Sequence, residues 1–240
     1  MKWIQKGQPP DSFLAWKEQA NENWQPSWDG LSKPEKPEVH TALLAEQGYI
    51  CCYCNRRIGP DQERSHIEHI KSRSHYPLNT LDYDNLVASC QGENENNKPV
   101  HCGNAKADWP SPSSETLLVS PLDKECEAAF EFTAIGEIIP SSHFKRQESA
   151  AETIKRLGLD VPKLVAARNS AVEGVIEGLA DYTGDEVQVL IDYYNSRDEN
   201  GHYTPYCSAI VYLLRWSVDT EDEVVIDDGP AHSGPGGRAV

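Results

Sequence analysis

Two groups of side chains in this sequence carry chemistry. The first is thiol. Cys51-Cys52-Tyr53-Cys54 contains a C-x-x-C pair, and Cys90 and Cys102 supply two more thiols downstream. C-x-x-C spacing lets one tight turn aim two thiolates at a tetrahedral ion, so Cys51, Cys54, Cys90 and Cys102 together predict a closed structural Zn²⁺ site. Cys52 in place of Cys51, or His101 in place of Cys102, is the alternative ligand, and plain buried thiols are the bland reading. The second group lies between the thiol pairs: His66-Ile67-Glu68-His69-Ile70, then Asn85, then Asn104 beside Cys102, with Lys106 two residues on. Glu68 offers a hard carboxylate oxygen and Asn104 an amide oxygen, a pair that suits Mg²⁺ or Mn²⁺. His69, with an ordinary pKa near 6.5, suits a general base acting on water. His66 is two residues from Glu68 on the same strand face, either a further ligand or a core-edge histidine. Lys71, Arg73 and Lys106 are candidate phosphate contacts, although a solvated basic loop explains the first two almost as well. An activated water, a cation on the scissile phosphate and stabilisation of the leaving oxygen are what phosphodiester hydrolysis requires.

Elements must position these groups, and the composition says which kind. Residues 49–110 are turn-rich, with short apolar pieces, and cannot make a large core alone; a metal or neighbouring helices must hold them. Ahead of them, residues 1–48 read as a helical preface. A short helix runs over Ser12–Glu18 with Asp11 as N-cap, a loop covers Gln25-Pro26-Ser27-Trp28-Asp29-Gly30, and a second helix runs from about Glu38 to Gln47, ended by Gly48. Behind them, 111–220 reads as a hairpin (Glu115 to Val119 with Phe130 to Ile139, turning at Gly136) followed by helices near 147–157, 161–181, 184–196 and 203–217. Residues 221–240, acidic and then rich in Gly and Pro, read as a disordered tail. The expected fold class is α+β, mainly helical.

The net charge of −16 argues against a free-standing nucleic-acid binder, since such proteins neutralise phosphates with a Lys/Arg surplus. The excess is not uniform. Residues 49–110 hold seven Lys/Arg against eight Asp/Glu, which leaves −15 of the −16 outside the motif region. Five of the seven cysteines crowd into that region, which favours metal over disulfides and a reducing cytoplasm as the compartment. No secretory signal and no apolar run long enough for a bilayer is visible.

The order of these motifs resembles the HNH, or ββα-metal, nuclease motif: an acid-His dipeptide on a strand, an Asn-Leu after the next loop, and an Asn beside a zinc cysteine. Over residues 1–160 the chain is similar to the HNH family of retron-associated and Septu anti-phage systems, the PtuB-like nuclease subunits. The similarity rests on Glu46-Gln47-Gly48-Tyr49-Ile50-Cys51-Cys52-Tyr53-Cys54, on His66 to His69, on Tyr83-Asp84-Asn85-Leu86 and on Cys102-Gly103-Asn104-Ala105-Lys106. The resemblance implies a ββα-metal core around structural zinc and a bacterial endonuclease with a catalytic set of Glu68, His69, Asn85 and Asn104, in which Asn85 braces the loop that orients His69. It also implies an ABC- or SMC-like ATPase partner (PtuA-like), in some systems with a retron reverse transcriptase and its RNA–DNA product. DNA is the expected substrate, and 1–48 with 140–217 are the expected docking surfaces. Two other readings stay open: a zinc-binding adapter that does no chemistry, and a stand-alone restriction-type nuclease. The acidic C-terminal part offers the latter no basic reading surface.

Overall fold

A computed structural model describes residues 1–61, 64–92, 94–95 and 98–224. The chain is mixed α and β, mainly helical. Helix α1 (Asp11–Glu18) buries Phe13 and Trp16. Its N-cap position is taken by Pro10, not Asp11, which sits in the first turn where an acid favours the helix dipole. Helix α2 (Glu35–Glu46) begins three residues earlier than expected because Pro37, in the first turn, has no N–H that the helix would need. It buries Val39, His40, Leu43 and Leu44 against α1 and against the sheet that follows.

That sheet is one antiparallel pair, β1 (Ser65–His69) with β2 (Leu86–Cys90), in a register that sets Glu68 opposite Val87 and His69 opposite Leu86. Every residue of β2 is buried. The strand gains a side-chain neighbour in Gln47, which accepts from the Ala88 amide at 2.6 Å and donates to the Ala88 carbonyl at 2.8 Å. A minimal pair, β3 (Asn94–Glu95) and β4 (Lys98–Pro99), leads into the short helix α3 (Cys102–Lys106). In chain order β1, β2, the short β3–β4 pair and α3 follow one another, with α3 packed on β2.

The rest of the chain lies behind this unit. Strands β5 (Phe130–Phe132) and β6 (Ile138–Pro140) form the expected hairpin, with Gly136 at φ +83° in the turn. Its first arm is not Glu115–Val119. Residues Pro112–Leu117 form a 3-10 turn instead, because Pro112 starts a helical turn and Ser111 and Ser114 close a reciprocal capping box. Helices α4 (Gln147–Leu157), α5 (Pro162–Ile176), α6 (Gly184–Asn195) and α7 (Cys207–Val224) complete the fold. Helix α7 continues through 221–224, where a tail was expected; the remainder of that tail, 225–240, lies outside the described residues. The segment leading into α7 is stitched to the thiol region: the Tyr206 amide donates to the Asn55 carbonyl at 2.9 Å and the Tyr203 amide to the Gly48 carbonyl at 3.0 Å. Buried side chains from Met1 to Leu214 join in one apolar cluster, so the preface and the C-terminal helices both press on the motif region. Among the described residues no helix is long and apolar enough to cross a membrane.

Candidate metal centre and adjoining cleft

The thiols converge from three elements. Cys51 and Cys54 sit on a tight knuckle, closed by the Cys51 amide donating to the Arg56 carbonyl (2.8 Å) and the Asn55 amide to the Cys51 carbonyl (3.1 Å), with Asn55 at φ +60°. Cys90 ends β2 and Cys102 opens α3. All four are buried, none is in a disulfide, and their sulfurs lie within 4.8 Å of one another. A tetrahedral ion with bonds of about 2.3 Å would hold sulfurs roughly 3.8 Å apart. Cys54 and Cys90 are 3.8 Å apart. The donor set therefore fits a metal such as zinc. The Cys90 amide also donates to the Cys51 sulfur at 3.3 Å. Of the two alternatives, Cys52 stands outside the quartet, its amide donating to the Ala88 carbonyl. His101 lies beside it, Nδ1 being 3.2 Å from the Cys102 sulfur. Burial pushes the Cys51 thiol up, but hydrogen bonds from Cys102, Cys52, Cys54 and Cys90 outweigh it and hold Cys51 well below the ordinary thiol range. Burial holds Cys102 well above it. A cluster this tight carries little negative charge without a cation.

Next to the thiols, a cleft of about 560 Å³ is lined by His66, Glu68, His69, Arg73, Gly103, Asn104 and Lys106, with Trp28 from the preface at its edge. His69 ends β1 and is 7% exposed. Its Nε2 donates to the Thr80 carbonyl at 3.0 Å, which places the lone pair of the neutral ring on Nδ1. Burial pushes its pKa down to about 4, against the opposing pull of the Thr80 carbonyl and Glu68. The near-neutral value expected from an unperturbed ring is thus corrected downward. The ring also meets Trp28 edge to face, with centroids 4.3 Å apart.

Glu68 is buried and doubly partnered: Oε1 is 3.0 Å from Lys106 Nζ and Oε2 is 3.4 Å from His66 Nε2. Burial works to raise its pKa, and His66 and Lys106 together bring it below the usual carboxylate range. His66 Nε2 and Glu68 Oε2 converge over Gly103, where a Cβ would lie 2.9 Å and 2.6 Å from them. Only glycine leaves that cradle open. His66 Nδ1 is buried and makes no hydrogen bond. Asn104, exposed on α3, donates its amide nitrogen to the Gln91 carbonyl (2.7 Å) and to Gln91 Oε1 (3.0 Å). With its nitrogen so held, the amide has its oxygen left to offer.

The Asn85 side chain makes no hydrogen bond to His69. Its side chain accepts from the Lys71 amide (2.7 Å) and donates to the Lys71 and Asn79 carbonyls (3.1 and 3.0 Å). It clips the chain just after β1 to the loop that presents the Thr80 carbonyl, a positioning role. Two expected phosphate contacts are corrected. Lys106 lines the cleft but is buried, with its Nζ paired to Glu68 at 3.0 Å and donating to the Trp109 carbonyl at 2.7 Å, so its charge is taken up by the protein. Lys71 turns away to Glu115 at 2.7 Å and lines a different hollow. Arg73 does line the cleft, its side chain half exposed and in a loose pair with Asp29 at 3.4 Å. Thr80, Gln91, Gly103 and Trp28 were not singled out by residue type. Thr80 acts through its backbone carbonyl, which leaves no mark in a sequence, Gln91 through its carbonyl and its side-chain oxygen, and Trp28 is one aromatic residue in a loop.

The chain matches no protein-family model and no curated protein.

Proposed function

We propose that this protein is a metal-dependent phosphodiester hydrolase of the HNH type, with β1, β2 and α3 as its ββα-metal core, Zn²⁺ on the four thiols, and DNA as substrate. The observation that carries the reading is the tether of His69 Nε2 to the Thr80 carbonyl beside the buried Glu68. It leaves a neutral imidazole with its basic nitrogen unspent, in a cleft whose other donors suit a hard cation. His69 takes the proton from a water, the water oxygen forms the new bond to phosphorus, and the bond to the 3′-oxygen breaks. A Mg²⁺ or Mn²⁺ ion on Glu68 and Asn104, with His66 as a nitrogen donor, would supply charge stabilisation to the phosphate and the leaving oxygen. Lys106 holds Glu68 in place from behind, Asn85 holds the Thr80 loop, and Gly103 keeps the cradle clear.

The acidity outside residues 49–110 supports a subunit that receives its nucleic acid from a partner. By the family resemblance that partner is an ABC- or SMC-like ATPase in a bacterial cytoplasm, with a retron reverse transcriptase and its RNA–DNA product as a further component. Plasmid cleavage tests both parts. Wild type and His69→Ala are compared in Mg²⁺, Mn²⁺ and EDTA, each with and without the ATPase. Wild type is expected to cut only with a divalent ion and faster with the ATPase, and His69→Ala is expected to lose about 10²- to 10⁴-fold in rate. Equal rates for His69→Ala and wild type would end the hydrolase reading in favour of a zinc-stapled adapter. Full activity without the ATPase would end the subunit reading.

A further inference from the structure

Trp28 takes no part in the proton transfer, yet it stands over the base. It belongs to the 3-10 turn Trp28–Gly30, which Ser27 closes by accepting from the Gly30 amide at 3.2 Å. The ring is half buried: it meets His69 in a T-shaped contact, and it borders the open cleft. Cations from two different elements approach it. Lys36 Nζ, from α2, is 4.8 Å from the ring centroid, and the Arg73 guanidinium, from the loop after β1, is 6.0 Å away. Arg73's present partner, Asp29, is almost fully exposed. Such a pair is worth little and exchanges readily for a phosphate.

An indole with two cations drawn over its ring, which a base can displace toward the flanking phosphates, is an arrangement that holds single-stranded nucleic acid, because every base has a π-face and every linkage a charge. A tryptophan serving only to shield His69 would need neither the cations nor the open border. Bases inside a duplex are stacked on each other, so an indole at the cleft mouth can take a base only from an unpaired stretch. We propose that Trp28 is a stacking platform for an unpaired base next to the scissile phosphate, with Lys36 and Arg73 gripping the flanking phosphates. The cleft is thereby specific for single-stranded or locally opened nucleic acid. This rests on the phosphodiester reading above, and it makes Trp28 a substrate-binding residue where that reading leaves it unused.

The test is binding by full-length, zinc-loaded protein at low salt with no Mg²⁺ or Mn²⁺ added, so that no strand is cut, followed by fluorescence anisotropy. The probes are a short DNA strand, the same sequence as RNA, the same sequence as a duplex, and a strand with abasic sites in place of bases. Trp28→Ala is expected to lose roughly 5- to 100-fold in affinity for the single strands, while duplex and abasic binding change less than about 2-fold. Trp28→Phe should retain most of the affinity, and Trp28→Leu, which still covers His69, should lose it. Lys36→Ala and Arg73→Ala should each lower the salt dependence by about one phosphate contact. The RNA arm tells which sugar the cleft accepts. Equal losses on all four probes, or Trp28→Leu binding as well as Trp28→Phe, would show a packing role and overturn the proposal. If wild type binds and cuts but the Trp28 variants behave like it, stacking alone falls. If wild type neither binds nor cuts any probe when metal is restored, the phosphodiester reading falls first and this proposal with it.

Discussion

The thiol quartet, held by the knuckle, β2 and α3, and the cleft, lined by β1 and α3, share the helix that carries both Cys102 and Asn104, and treat polar groups in opposite ways. Around Cys51, Cys54, Cys90 and Cys102 all four donors point inward, away from water, at one another. In the cleft each polar group is tied from behind and open in front: His69 by the Thr80 carbonyl, Asn104 by Gln91, Glu68 by Lys106. A closed set of like donors can only hold an ion. A set of unlike donors, each anchored at one end, can exchange water, cation and substrate at the other. The difference separates a set of side chains built to hold a scaffold from a set that, on the proposed reading, would carry the chemistry.

The comparison breaks first, and hardest, at the thiols. Structural zinc contributes on the order of 10 kcal/mol of binding free energy in small modules, which matches the whole stability of a typical domain. A strong chelator, or Cys54→Ser, should therefore abolish the cooperative thermal transition, followed by circular dichroism beside metal analysis. Cys52→Ala should leave the zinc content unchanged, since Cys52 lies outside the quartet. If Cys54→Ser melts like wild type, the quartet is not a staple.

The cleft's own contribution to stability is smaller and electrostatic. Lys106→Met leaves Glu68 buried without its cation, at a cost of about 3–5 kcal/mol. Replacing both, Glu68→Gln with Lys106→Met, should recover a large part of that loss, because no charge is then stranded. Denaturant unfolding of the two variants measures it. A double variant no more stable than the single one would mean that packing, not charge, sets the role of Lys106.

What could be read from the sequence follows the same division. The quartet was legible because tetrahedral ligation dictates local spacing, and Cys51, Cys54, Cys90 and Cys102 do meet. The mixed α and β class was legible because short apolar pieces alternate with helical stretches along the chain. The other side of each cleft contact was not. Lys106 has the type of a phosphate ligand but lies on the inner face of α3, and the depressed pKa of His69 comes from burial that no spacing reports. The Glu115–Val119 strand failed for a local reason: Pro112 and the Ser111–Ser114 box favour a helical turn, and the chain pairs Phe130–Phe132 with Ile138–Pro140 instead.

His69 gives a further test through pH. Its folded pKa, about 4, lies below the ordinary 6.5 of the unfolded chain. Between those values the unfolded state binds the proton and the folded state does not, so the contribution of His69 is intact above pH 6.5 and is lost as pH falls toward 4. The loss amounts to up to about 3 kcal/mol. Unfolding free energies measured through this window for wild type and His69→Gln should diverge accordingly, with the variant losing less. Parallel curves would show that the ring is solvated and not buried as described.

The smallest effect on folding belongs to Asn104, and for that reason it is the cleanest probe of the cleft. Its side chain is exposed and, among the described residues, tied only to Gln91, so Asn104→Ala should change the unfolding free energy by no more than about 0.5 kcal/mol. If its oxygen ligates the cation, the same change should weaken Mn²⁺ binding by roughly 10-fold or more, read by titration calorimetry on the zinc-loaded protein. Asn104→Asp, which keeps an oxygen donor and adds charge, should bind Mn²⁺ at least as well as wild type. An unaltered Mn²⁺ affinity in Asn104→Ala would leave Glu68 and His66, converging over Gly103, as the protein's ligands, and would make Asn104 a rim residue whose amide only orders the Gln91 loop.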